Sequence, residues 1–216
     1  MDKILEKFGI YDLVAILLSG TSIVTFSIIV LQLFYKFSIN INFRVNETVV
    51  FFVISYFLGL VFQEFGSFIQ KKTTHKNNAL LKAALKTSDN SHIYLTDKEK
   101  KGVYSYIIEK LNLNPHDNID NIVYNYCKFY ILESNETTRI DKDQSISAMS
   151  RSLSLYFALL AVMVFISNFF EPAAMKIILV IISLFFAGLF YYRCMRFTKL
   201  RYINIFRTFY YKVVAK

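Results

Sequence analysis

Charged residues along the chain gather into blocks, and the intervals between the blocks are long and apolar. No Asp, Glu, Lys or Arg occurs in the 23 residues between Asp12 and Lys36, or in the 16 between Glu47 and Glu64. The same holds for the 19 residues between Arg151 and Glu171 and the 16 between Lys176 and Arg193. A helix needs about 20 predominantly apolar residues to cross a hydrocarbon layer about 30 Å thick. The pattern therefore predicts four transmembrane helices, near 12–35, 48–69, 152–170 and 173–192. The first apolar run exceeds the roughly 7–15 residues of a signal-peptide core, and no A-x-A-like site follows it, so it reads as a retained helix.

The segment between the second and third spans, 70–151, follows a different rhythm. Leu80, Leu81, Ala84 and Leu85 share one side of a helix that continues the second span. The polar stretch "TSDNSHIYLT" (87–96) reads as a turn with a short extended piece. Thr96 and Glu99 then have the spacing of a capping box, opening a helix to about Leu111 with Val103, Tyr106, Ile107 and Leu111 at helical intervals. "NLNPHDN" breaks the chain, and Asp117 or Asn118 is placed to cap a helix carrying Ile122, Tyr126, Phe129, Tyr130 and Leu132. A polar helix from Thr137 leads into the third span. In the tail, Tyr202, Phe206, Phe209 and Val213 recur at helical spacing and predict an amphipathic helix. The expected fold is all-α: a four-helix transmembrane bundle with a helical cytoplasmic insert and a basic C-terminal helix. Its parts are 1–69 and 152–192 in the membrane, 70–151 as insert and 193–216 as tail.

Composition agrees, since 55% hydrophobic and 17% aromatic residues exceed what a soluble core of this size needs. Charge sets the orientation. With the N-terminus, insert and tail on one side, that side holds 22 Lys/Arg, against only Lys36, Arg44 and Lys176 on the other. The positive-inside rule then puts both termini and the insert in the cytoplasm. The Asn/Ile/Lys/Tyr-rich usage suggests an AT-rich genome, and a bacterial inner membrane is the natural setting. The external loops, about 36–47 and 171–176, are too short for an extracellular receptor; in the second, Glu171-Pro172 marks a turn into the last span. Cys127 and Cys194 fall on the cytoplasmic side without CxxC spacing, which argues against both a disulfide and a metal site.

Candidate chemistry is sparse. His75, His92 and His116 are isolated, and no Walker loop, G-x-G-x-x-G or G-x-S-x-G is present. No catalytic residue, metal or cofactor is expected. The informative residues lie in the spans. Ser55, Gly59, Gln63, Gly66 and Gln70 fall on one face of the second span, and Ser55-x-x-x-Gly59 is a small-xxx-small pattern that admits close helix approach. That stripe faces either a pore or neighbouring subunit, or another helix of its own bundle. Glu64 is expected at the cytoplasmic edge of the membrane, where a carboxylate must meet protein, water or a cation. Lys7, Arg151 and Arg193 are candidate partners, and a ring of carboxylates at a pore mouth is the alternative.

The first span concentrates Ser19, Gly20, Thr21, Ser22, Thr25 and Ser27, suited to packing or to a water-lined surface, while Asp12 at its entry could pair with Lys7 or Arg151. The tail holds Arg193, Arg196, Lys199, Arg201, Arg207 and Lys212 with no acidic residue. Basic residues interleaved with aromatics suit an anionic lipid surface, a nucleotide or nucleic-acid ligand, or a protein partner.

"EKFGIYDLVAILLSG" (6–20), "YFLGLVFQEFGSFIQ" (56–70) and "SAMSRSLSLYFALL" (147–160) together resemble small four-span bacterial inner-membrane proteins of phage-defence systems, of the Hailong A or Kiwa membrane-component kind. The resemblance covers mainly the membrane half. It implies a homo-oligomer, a tetramer in the favoured case, that responds to a cytoplasmic partner protein or a nucleotide or oligonucleotide signal. The functional expectation is a channel- or pore-forming effector gated from the cytoplasm, acting by membrane disruption or growth arrest. The alternative is a non-conducting membrane anchor or sensor for a cytoplasmic partner.

Overall fold

Inside a bilayer every backbone N–H and C=O must be satisfied within the protein, and the apolar intervals meet this requirement as helices. The computed structural model describes residues 10–35, 45–74, 79–87, 94–113, 119–134, 138–170 and 172–215. These residues form α1 (Ile10–Tyr35), α2 (Val45–Thr74), α3 (Ala79–Ala84), α4 (Asp97–Leu111), α5 (Ile119–Glu133), α6 (Thr138–Phe170) and α7 (Ala174–Phe209), followed by a π-helical turn at Tyr210–Val214. Among the described residues there is no strand, only an isolated bridge between Thr87 and Leu95. The fold is all-α, and α1, α2, α6 and α7 are long and apolar enough to cross a membrane. The basic tail is the continuation of α7: no Gly or Pro follows Gly188, so nothing breaks the helix before Phe209.

The described residues fall into two compact units, one within Met1–Lys72 and Ser145–Cys194, the other within Thr73–Gln144 and Met195–Lys216. In the first, Ile23 and Val30 of α1 pack with Leu153, Tyr156, Phe157, Leu160 and Val164 of α6. Phe157 is the aromatic centre. Its ring meets Phe26 edge-on at 5.2 Å and stacks with Phe186 at 5.3 Å and Phe190 at 5.8 Å.

The second unit has its own core, in which Leu81, Ala84, Leu85, Val103, Ile107 and Phe206 are buried with Phe209 at the centre. Tyr106, Tyr126 and Tyr130 ring Phe209 at centroid distances of 5.3–5.9 Å. The capping box forms: Glu99 N–H donates to Thr96 Oγ1 (3.2 Å), and Thr96 N–H donates to Glu99 Oε2 (2.8 Å). At the other end of α4, Asn112 adopts the left-handed conformation (φ 49°), which Asn tolerates better than most residues.

None of the α5 residues named from the sequence is fully buried. Val123, Cys127 and Ile131 are the buried stripe, whereas Phe129 and Leu132 are exposed. Asn125, Lys128 and Glu133 are exposed, while Tyr124, Tyr126 and Tyr130 flank the buried stripe with their rings against Phe206 and Phe209. Burial pushes the Cys127 thiol pKa far up, so this cysteine is an inert core residue. Lys7, His75, His92, His116, Asp117, Asn118 and most of the first external loop lie outside the described residues.

Candidate membrane-face site

The face of α2 that the sequence singles out is packed against its own chain. Ser55, Gly59 and Gly66 are buried, and Gln63 and Gln70 are half-buried. Backbone meets backbone along the seam with α1. A Cβ on Gly20 would lie 1.7 Å from the Ser55 carbonyl oxygen, and one on Gly59 would lie 2.2 Å from the Ile16 carbonyl oxygen. Only glycine fits at either point, which is the close approach that a small-xxx-small pattern permits. Two turns on, Gly66 receives the stem of Arg151, whose Cγ would be 2.9 Å from an added Cβ. The Arg151 guanidinium donates to Gln70 Oε1.

Glu64 points elsewhere. It precedes Gly66 by two residues, about 200° around the helix at 3.6 residues per turn. It is exposed, as are Val61, Phe65 and Phe68 near it. Among the described residues Glu64 takes part in no ion pair; Arg151 bonds Gln70 instead, and Lys7 is outside them. Asp12 accepts a hydrogen bond from the Ser145 hydroxyl at 2.6 Å rather than pairing with Arg151.

The hydroxyl groups of α1 divide by position. Ser19 donates to Ile16 O (3.0 Å), Thr21 to Leu18 O (3.2 Å) and Ser22 to Leu18 O (2.8 Å), so these three satisfy themselves on their own helix. Thr25 is exposed. Ser27 makes the longer-range contact, a 3.0 Å bond between its hydroxyl and that of Tyr156 on α6. Ser154 likewise ties α6 to α7 by donating to Ala187 O at 2.9 Å.

The tail cations also divide. Arg207 is committed inside the second unit: its Nε donates to Glu99 Oε1 at 3.0 Å and its Nη2 to Tyr94 O at 2.8 Å. Burial by itself raises the Glu99 pKa. The Thr96 N–H and the Arg207 guanidinium outweigh it, holding the carboxyl below its ordinary value of 4.5. Arg201 donates to Gln144 Oε1 at 3.3 Å and lies over the Tyr202 ring, and Lys199 Nζ sits 3.8 Å from the centroid of the Tyr94 ring. Arg193 and Arg196 are exposed and Lys212 is half-buried. The six positions therefore do not form one basic surface; three of them are built into local packing.

Nothing in the spacing points to Ser145 or Tyr156 as partners of the singled-out residues; Glu99 carries a signal only as the third helical residue of the capping box. No group of three or more His, Cys, Asp or Glu capable of holding a metal occurs among the described residues, and Cys127 and Cys194 are free and buried. Comparison with protein-family models, curated proteins and solved structures finds no match for this chain.

Proposed function

We propose that the chain is an oligomeric bacterial inner-membrane effector that forms a channel or pore gated from the cytoplasm, serving phage defence by membrane disruption or growth arrest. One observation carries the reading: Glu64 is exposed on the outward face of α2, among apolar neighbours. It stands six residues before Gln70, about 9 Å along the helix axis, within a segment long and apolar enough to span. A carboxylate facing lipid there is costly, and further copies enclosing a water path would remove that cost. Such a ring would favour cations. The outward surface available for assembly is large, since only 11% of the apolar window in α2, and 11% of that in α7, is buried within the chain.

In this reading both termini are cytoplasmic, and the unit formed by Thr73–Gln144 and Met195–Lys216 receives the cue, a partner protein or a nucleotide or oligonucleotide signal. Protein reconstituted into cation-loaded liposomes tests it: flux that rises when a cytoplasmic trigger is supplied supports the reading, and an inert monomer under every candidate trigger ends it.

The second reading, a non-conducting anchor or sensor, draws on a different observation: the small-residue stripe of α2 is occupied by α1 and Arg151 of the same chain. An anchor retains its cytoplasmic partner in a pull-down after Glu64→Gln and Gln63→Leu, and shows no flux before or after.

A further inference from the structure

A cavity of about 400 Å³ opens within the first unit, between α1, α2 and α6 and bounded at one end by α7. That volume is within the range of ordinary ligand sites, about 300–1,000 Å³. Most of its wall is aliphatic or aromatic, including Ile23, Val30, Leu58, Phe62, Leu160 and Val164. The polar groups of the wall are few and ordered along it. Ser27 and Tyr156, bonded to each other, lie toward the middle of the helices, and Ser167 and Lys176 lie at the end next to the α6–α7 turn. Lys176 is 5% exposed, and its ammonium donates to the Ser167 hydroxyl (3.1 Å) and carbonyl (3.4 Å).

The dimensions match one leaflet of a bilayer. From Tyr156 to Ser167 the wall follows eleven residues of α6, about 16 Å at 1.5 Å per residue. One leaflet's hydrocarbon is about 15 Å, half of the usual 30 Å. Measured from Ser167 and Lys176 the cavity thus runs about one leaflet's depth into the helices, its wall apolar apart from the bonded Ser27–Tyr156 pair, with a cation at the interfacial end. An apolar cavity of this size excludes water and accepts hydrocarbon, and an ammonium at the interface is the charge complement of a phosphodiester.

We propose that this cavity is a phospholipid site: one acyl chain lies along Ile23, Leu58, Leu160 and Val164, and the anionic headgroup phosphate meets Lys176. The occupant belongs to the leaflet at the α6–α7 turn, which is the external leaflet in the orientation given above. The site does not depend on ion conduction, so it stands or falls separately from the channel reading.

Native mass spectrometry of the full chain, purified in detergent and supplied with either phosphatidylglycerol or phosphatidylcholine of the same acyl composition, tests the assignment. Wild type is expected to retain one phosphatidylglycerol per chain under conditions that strip phosphatidylcholine. Lys176→Gln should weaken phosphatidylglycerol retention about five-fold, the effect of one lysine at a membrane surface, while Lys176→Arg should keep it. Equal retention of both lipids, or a Lys176→Gln chain that binds as wild type does, overturns the proposal. If Lys176→Gln does not fold, Val164→Phe decides. It fills the cavity without touching the cation and should exclude the lipid; undiminished binding overturns the site. A chain that binds no lipid because a second copy fills the cavity also refutes it, and appears in the same spectrum as a lipid-free oligomer.

Discussion

Gly20 and Ser55 meet backbone to backbone: a Cβ on Gly20 would lie 1.7 Å from the Ser55 carbonyl oxygen. No side chain can move aside there, because the obstacle is main chain. Gly20→Ala must therefore separate α1 from α2, with an expected cost near the upper end of overpacking, about 3 kcal/mol. Gly188, with nothing within 4 Å of an added Cβ, is the control. Gly188→Ala should leave stability within about 1 kcal/mol of wild type or raise it slightly, through the better helix propensity of alanine. Thermal unfolding of the detergent-solubilised protein compares the two, and equal effects would refute the seam.

Glu99 and Arg207 make the second unit acid-sensitive. The Glu99 pKa is lower in the folded protein than its ordinary 4.5. Its contribution is therefore fully present above that value and is lost as pH falls through the folded-state pKa. Glu99→Gln should flatten this part of the stability profile below about pH 4.5. Arg207→Ala leaves a carboxylate that is only 5% exposed without its cation, at an expected cost of about 3 kcal/mol at neutral pH. Melting temperature measured from pH 3 to pH 7 on wild type and both variants checks the sign and the size.

Tyr156→Phe removes the hydroxyl that bonds Ser27 while keeping the ring against Phe62 and Phe157. Hydrogen bonds between membrane helices average about 0.6 kcal/mol. The same unfolding assay should show a loss of that order, and a cost of several kcal/mol would mean that the hydroxyl has a further task.

Glu64→Gln should be nearly neutral for the isolated chain, within about 0.5 kcal/mol, because the side chain is exposed and makes no described ion pair. Its effect belongs to the assembly. In reconstituted bilayers the reversal potential under a salt gradient should shift toward lower cation preference, and an unchanged potential would remove Glu64 from any conduction path.

The spans and the α4 capping box were legible because each has a single physical solution. An uncharged apolar interval of 16–23 residues can satisfy its backbone in lipid by itself only as a helix, and Thr96-x-x-Glu99 closes both of its own hydrogen bonds locally. What a stripe packs against is not local. The spacing of Ser55 and Gly59 announced a close neighbour but could not identify it as Gly20 and Ile16 of the same chain. On α5, Ile122, Tyr126 and Tyr130 and the adjacent Val123, Cys127 and Ile131 supply two overlapping stripes, and spacing alone does not say which is buried. The bond between Asp12 and Ser145 joins residues 133 positions apart, and neither position carries a pattern. Lys176 attracted notice only as a charge on the sparsely charged side; its place at the end of an apolar cavity emerges from the packing of four helices.

The direction of Glu64 is the point on which the account turns, and disulfide trapping at that position tests it most directly. Cys127 and Cys194 are buried, so the wild-type chain serves as the background. Glu64→Cys, oxidised in native membranes, is expected to give covalent dimers absent from wild type if the position faces another copy, as proposed. A chain that stays monomeric on the gel while its new cysteine reacts with lipid-soluble reagents would place Glu64 against lipid and contradict the oligomeric effector.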